Sequence, residues 1–106
     1  MGASHVTVTL RRPGSTERAF EAEFIVDSRL AESLAPATVL EWIGVEPAGT
    51  AAFELTAGTS REYRFGLVQF EFMGEISTGR ILFGPDSTEP RLGAAALEAL
   101  KIMDRS

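Results

Sequence analysis

The chain has 106 residues, enough for one hydrophobic core but too few for two domains of ordinary size. Ten basic residues against fifteen acidic ones give a formal net charge of −5, which argues against nucleic acid as a partner because phosphate backbones attract basic surfaces. The absence of cysteine and the presence of one histidine exclude disulfides, thiol nucleophiles and a multi-histidine metal site within one chain. Two possibilities remain: the chain carries out catalysis with carboxylate groups, or it is not a catalyst.

The N-terminal residues and the lengths of the apolar runs indicate where in the cell the protein is expected. No apolar run approaches the length that a bilayer requires, and residues 1–6 lack the basic start and apolar core of a secretory signal peptide. We therefore expect a single cytoplasmic domain over residues 1–106, with no membrane partner, no metal and no cofactor. His5 could in principle serve a Ser–His pair, but a histidine this close to a terminus is usually only solvated.

The first part of the chain predicts a β-hairpin. Residues 5–11 alternate apolar and polar side chains, which is the period of a half-buried strand, and residues 13–15 (Pro-Gly-Ser) have the composition of a turn. Residues 20–26 alternate again, and the alternation fades at the end, as expected where a strand passes from the surface into the core. Asp27 therefore lies at the inner end of the second predicted strand.

The rest of the chain predicts more strands and two short helices. A helix of two turns is expected near residues 36–43, where proline suits the first position and Gly44 suits a left-handed cap. Residues 49–83 have the pattern of strands joined by tight turns, and the Ala- and Leu-rich segment 94–101 predicts the second helix. Asp86 is interpreted as a turn former. Because no long helix separates any two strands, the pattern favours an all-β fold over a parallel α/β layout.

Asp27 is the residue on which the functional interpretation depends. Taken alone, it is typical of a turn residue whose carboxylate accepts hydrogen bonds from nearby backbone amides. The run Phe24-Ile25-Val26-Asp27-Ser28, however, resembles the retroviral-type aspartic proteases and their small cellular relatives, in which an apolar strand ends in Asp-Thr-Gly or Asp-Ser-Gly. The spacing on to Pro36 and to the Ile-Gly-Val-Glu-Pro run at 43–47 is similar to that family, and the resemblance covers roughly residues 5–103.

The resemblance implies an all-β, retropepsin-like closed or half-closed barrel with two short helices, in which Asp27 is catalytic. One chain supplies one such aspartate, so the resemblance also implies a homodimer that hydrolyses a peptide or protein substrate with a water held between two carboxylates. Ser28 would hydrogen-bond across the two-fold axis and hold the two loops in register. The apolar loop from Leu30 to Leu34 points to a dimer as well, because it would otherwise face water.

Two further segments have both a family role and a plain structural explanation. The run Ala57-Gly58-Thr59 would form the tip of the flap that closes over bound peptide, with Gly58 supplying conformational freedom, but an ordinary hairpin turn explains the same residues. Leu92 and Gly93 resemble the apolar-Gly motif that packs beneath the catalytic strand in this family. A strand end entering a core helix predicts the same packing without catalysis. Arg91 stands where a second apolar residue is common.

Arg29 and Leu30 depart from the family, which has glycine and usually alanine at these two positions. Arg29 is bulky and permanently charged, so near the paired aspartates it would keep both of them ionised and remove the general acid. Glu32, three residues on, could instead draw Arg29 outward into a surface ion pair. Two functions therefore stay open: a homodimeric aspartic peptidase, and a catalytically inactive relative that serves as a peptide-binding or dimerisation module.

Overall fold

The computed structural model describes residues 4–56 and 58–102, and most of them are in strands. The elements in chain order are β1 His5–Arg11, β2 Ala19–Val26, β3 Ser33–Pro36, α1 Ala37–Trp42, β4 Gly49–Thr56, β5 Thr59–Phe72, β6 Glu75–Gly84, β7 Arg91–Leu92 and α2 Ala94–Ala99. The predicted dominance of β-structure and the two short helices are confirmed. β3 and β7 escape the sequence prediction because each is too short for an alternating period to show.

The strands of the described residues form one seven-stranded sheet in the order β1-β2-β7-β3-β6-β5-β4. β1 and β2 make the predicted antiparallel hairpin, in which His5 lies opposite Ile25 and Arg11 lies opposite Ala19. β1 also pairs antiparallel with β5, so that the first strand pairs with both ends of the five-strand series β2-β7-β3-β6-β5. The pairings therefore run in a closed circuit through six strands, and β4 continues the sheet beyond β5.

The short strand β7 determines the arrangement around Asp27. It inserts between β2 and β3, parallel to β2 and antiparallel to β3. Val26 is opposite Leu92 on one side, and Leu34 is opposite Arg91 on the other. The loop that joins β2 to β3 must therefore pass over the end of β7, which brings two segments more than sixty residues apart in sequence into contact.

The main hydrophobic core collects alternate side chains of the strands together with both helices. Alternation places these side chains on one face of the sheet, and full burial of a large one contributes about 2–3 kcal/mol. The buried members are Val8, Leu10, Phe24, Ala35, Leu40, Ile43, Val45, Val68, Phe70, Ile81, Phe83, Leu92, Ala96, Leu97 and Leu100. The core therefore depends on the hairpin β1–β2, the long hairpin β5–β6 and α2 at once.

A second, smaller cluster lies on the opposite face of β3 and β6, because Leu34 and Leu82 alternate with main-core neighbours in their strands. Both leucines are buried, and partly buried hydrophobic side chains pack against them. We call the whole set the Leu34 patch: Leu30, Leu34, Ala51, Tyr63, Phe65 and Leu82.

The two helices match their predicted positions to within two residues at each end. α1 is preceded by Pro36, which belongs to β3 and takes an extended conformation with ψ at 137°, so it is not the first helical residue that the sequence indicates. Gly44 follows α1 with φ at +92°, the left-handed conformation expected of a helix-ending glycine. Neither helix in residues 4–56 and 58–102 has the length and apolar character needed to cross a membrane.

Candidate functional site

Asp27 follows directly on the last residue of β2, where the sheet gives way to a turn. Its backbone N–H donates to the carbonyl oxygen of Leu92 at 3.0 Å, and its own carbonyl oxygen accepts from the N–H of Leu30 at 3.2 Å. The side chain is only 9% exposed. A carboxylate buried to this extent requires partners, because leaving water without them is costly.

Two arginines supply those partners, one for each carboxylate oxygen. Arg29 Nε lies 3.2 Å from Asp27 Oδ1, and Arg91 Nη1 lies 3.4 Å from Asp27 Oδ2. The backbone N–H of Arg29 also donates to Oδ1 at 3.2 Å. This local bond is the one expected of a turn-forming aspartate, so the turn interpretation of Asp27 accounts for part of the geometry.

The two orientations that the sequence leaves open for Arg29 are now distinguished. Glu32 forms its ion pair with Arg80, at 3.2 Å between Oε2 and Nη2, while Arg29 is paired with Asp27. Glu32 therefore does not draw Arg29 away from the aspartate. The Arg29 side chain is nevertheless 89% exposed, so it covers the carboxylate from the solvent side.

Arg91 is the site residue that the sequence interpretation misses. The sequence marks Arg91 only as a departure from an apolar position, yet its side chain reaches Asp27 across 64 positions of sequence. β7 places it opposite Ile25 on β2, two residues before Asp27. The signal that points to it is an arginine, directly before Leu92-Gly93, at a position where the resembled family carries an apolar residue.

Leu92 and Gly93 lie directly against the Asp27 loop. Leu92 is fully buried, and the N–H of Gly93 donates to Ser33 Oγ at 3.0 Å. A Cβ at position 93 would come within 2.5 Å of the Glu32 carbonyl oxygen, so only glycine allows this approach. Ser33, 2% exposed, is a second supporting residue that the sequence does not single out.

Ser28 and the hairpin between β4 and β5 complete the predicted site residues. Ser28 is exposed, next to Asp27 in the turn. Gly58 has φ at +79° at the tip of the hairpin, consistent with the freedom expected there, and Thr59 begins β5. Ala57 lies outside the described residues. The flap role of this tip stays a prediction.

The loop that the sequence expects to be apolar and exposed is largely covered within the protomer. Leu34 is 5% exposed, and Leu30 is half-buried against it in the Leu34 patch. The expectation that the segment from Leu30 to Leu34 faces water is wrong, because Leu82 on β6 packs against Leu34. Exposed leucines therefore no longer support dimerisation.

Arg91 lies on the same face of the sheet as the Leu34 patch. Arg91 and Leu34 are directly opposite each other across the antiparallel β7–β3 pair, and directly opposed residues project to one side. Arg80 lies over the Phe65 ring at 4.1 Å, at another edge of the patch. The site thus combines a buried carboxylate, two guanidinium groups and an adjoining apolar cluster, of which Leu34 and Leu82 are buried and the other members half-buried.

The charges at the site favour binding of an anion over a cation. Asp27 contributes one negative charge against the two positive charges of Arg29 and Arg91, and the Glu32–Arg80 pair adds none. No group of three or more His, Asp or Glu side chains that could hold a metal ion occurs in residues 4–56 and 58–102.

No protein-family model matches the chain, and no curated protein sequence matches it either.

Proposed function

We propose that this chain is a retropepsin-like, aspartic-protease-type domain that works in the cytoplasm as a homodimer and binds peptide segments of proteins at Asp27. In this proposal Arg29 and Arg91 hold Asp27 as an ion pair and suppress hydrolysis. The closed circuit of six strand pairings supports a closed or half-closed barrel. The contact of Leu92-Gly93 with the Asp27 loop supports the resemblance to aspartic proteases around Asp27 itself.

The observation that carries the proposal is the pairing of each Asp27 oxygen with its own arginine. Hydrolysis by two aspartates needs one carboxylate to take a proton from water while the other, protonated, donates to the scissile carbonyl. The water oxygen then bonds to the carbonyl carbon, the C–N bond breaks, and the amine leaves with a proton. In this chain Arg29 and Arg91 each contact one Asp27 oxygen, so they compete with the water and the scissile carbonyl for those oxygens.

An active peptidase is the second candidate, and the exposure of Arg29 favours it. A guanidinium that is 89% exposed is held by an ion pair of the kind that contributes about 0–1 kcal/mol. Dimer formation or bound substrate could therefore displace Arg29 at little cost and uncover Asp27 Oδ1. Arg91, at 38% exposure and positioned by β7, is the less easily displaced of the two.

The oligomeric state is the first test, because one chain offers one aspartate at this position. Light scattering combined with sedimentation should give a homodimer at tens of micromolar, a typical working range on the affinity scale. Crosslinking through a cysteine introduced at Ser28 (Ser28→Cys) should join the two copies, since Ser28 adjoins the proposed axis. A monomer, or a dimer that does not crosslink there, would contradict the two-aspartate arrangement.

The second test separates the two candidate functions by peptide cleavage. If the arginines suppress hydrolysis, Arg29→Gly combined with Arg91→Leu should raise cleavage of a peptide library at acidic pH, and Asp27→Asn should abolish the gain. Arg12→Gly, an exposed arginine at the far end of the β1–β2 hairpin, is the matched control and should change nothing. Cleavage by the unaltered protein that Asp27→Asn abolishes favours the peptidase. Cleavage that survives Asp27→Asn would refute the site.

A further inference from the structure

We infer that the Asp27 site selects acidic peptides, recognising an Asp or Glu side chain that lies next to an apolar residue. This inference rests on the proposed function, because it names the ligand class of the same site. It goes beyond that function in assigning Arg29 and Arg91 a binding role of their own.

The first step is the surplus of positive charge. Asp27 occupies one N–H donor of Arg29, through Nε, and one of Arg91, through Nη1. A guanidinium carries five N–H donors in a rigid fork, a geometry that matches a carboxylate in two-point contact. After both ion pairs are counted, the three side chains keep one net positive charge.

The second step is that this charge is accessible. The side chain of Arg29 is 89% exposed and that of Arg91 is 38% exposed, whereas Asp27 beneath them is 9% exposed. An incoming ligand therefore meets the two guanidiniums before it meets the aspartate. A carboxylate satisfies the guanidiniums, while a cationic side chain at the same place is repelled.

The third step is the apolar surface beside the arginines. Arg91 shares its face of the sheet with Leu34. Leu34 and Leu82 are themselves buried, so the accessible apolar area of the Leu34 patch comes from its half-buried members Leu30, Ala51, Tyr63 and Phe65. Arg80 lies at the edge of the patch over the Phe65 ring. A peptide with a carboxylate in contact with Arg91 thus places a neighbouring side chain against an apolar surface. This pairing favours a peptide over a small free anion.

The net negative charge of the chain does not prevent a short-range contact between the arginines and an acidic side chain. The net charge of −5 is spread over the sequence, and at physiological ionic strength charges more than about 8 Å away are largely screened. The contact between a guanidinium and a carboxylate is screened far less. The acidic surface slows the approach of acidic peptides but leaves the contact intact.

The test uses an N-acetylated, C-amidated random hexapeptide library, captured by the immobilised full chain and identified by mass spectrometry. We expect Glu and Asp to be enriched over Gln and Asn at one position by about tenfold, which corresponds to about 1.4 kcal/mol. The enrichment should fall as salt is raised, a readout that needs no variant. A hexapeptide without acidic side chains but with a free C-terminus shows whether a terminal carboxylate is bound as well as a side-chain carboxylate.

Two variants complete the test. Arg91→Leu, which keeps a large side chain beside Leu34, should reduce the enrichment to about twofold or less, whereas Arg12→Leu should leave it unchanged. Circular dichroism verifies that both variants are folded. Peptides that bind without preference for acidic residues would overturn this inference and leave the proposed function standing. A protein that binds no peptide would overturn both, and a preference that survives Arg91→Leu together with Arg29→Gly would overturn the role of the arginines.

Discussion

Gly93→Ala tests the contact on which the arrangement around Asp27 depends. A Cβ at position 93 would lie 2.5 Å from the carbonyl oxygen of Glu32, 2.6 Å from its carbonyl carbon and 2.9 Å from its backbone nitrogen. Non-bonded heavy atoms are normally about 3.5–4.0 Å apart, so β7 and the Asp27 loop must separate by about 1 Å. All three atoms belong to the backbone, which cannot rotate out of the way as a side chain does.

The expected cost follows from that separation. Overpacking of this kind costs about 1–3 kcal/mol, and here the upper end applies. The separation also lengthens the hydrogen bonds from Gly93 N to Ser33 Oγ and from Ala94 N to the Leu30 carbonyl oxygen, each worth about 1 kcal/mol. We expect about 3–4 kcal/mol of lost stability, or a fall in Tm of about 12 °C or more.

Urea and thermal unfolding followed by circular dichroism would measure the change, with Gly79→Ala as the matched control. At Gly79 an added Cβ meets its nearest neighbour, a ring carbon of Phe70, at 3.5 Å, an ordinary contact. Alanine in a strand is more favourable than glycine by about 0.5–1 kcal/mol, so the control should be neutral or stabilising. A Gly93→Ala variant within 1 kcal/mol of the unaltered protein, or a control equally destabilised, would refute the close packing of β7 against the Asp27 loop.

Two further stability predictions follow from buried contacts. Ser33→Ala removes the acceptor of the Gly93 N–H and should cost about 1–3 kcal/mol in urea unfolding, whereas Ser77→Ala on β6, a half-buried serine, should change stability by less than about 0.5 kcal/mol. Phe24→Ala empties a fully buried position of the main core and should cost about 3–5 kcal/mol. Leu67→Ala, at a side chain 48% exposed, should cost far less; equal losses for the two would contradict the assignment of the core.

The sequence by itself determined the elements whose side chains follow a regular period. The alternation in residues 5–11 and 20–26 predicts β1, β2 and their antiparallel pairing, because one face of a strand is buried and the other is not. The Gly44 cap and the positions of both helices were predictable from local preferences alone. The position of Asp27 at the end of a strand follows from the same alternation.

The sequence also indicated part of the site through the spacing of its motifs. Leu92 and Gly93 were expected beneath the strand that ends at Asp27, and the backbone bond from Asp27 to Leu92 joins the two segments. That expectation came from a resemblance and not from a period, since two residues are too few to show one. The catalytic role of Asp27 and the homodimer stay proposals.

Only the tertiary structure decided which charges meet. Glu32 pairs with Arg80 and not with Arg29, and Arg91 reaches Asp27. Both pairings depend on distances of a few ångströms between segments far apart in sequence. Those distances are determined when β7, two residues long, inserts between β2 and β3. The burial of Leu34 by Leu82 has the same origin. Long-range register determines which side chains face one another, and no local pattern in the sequence records it.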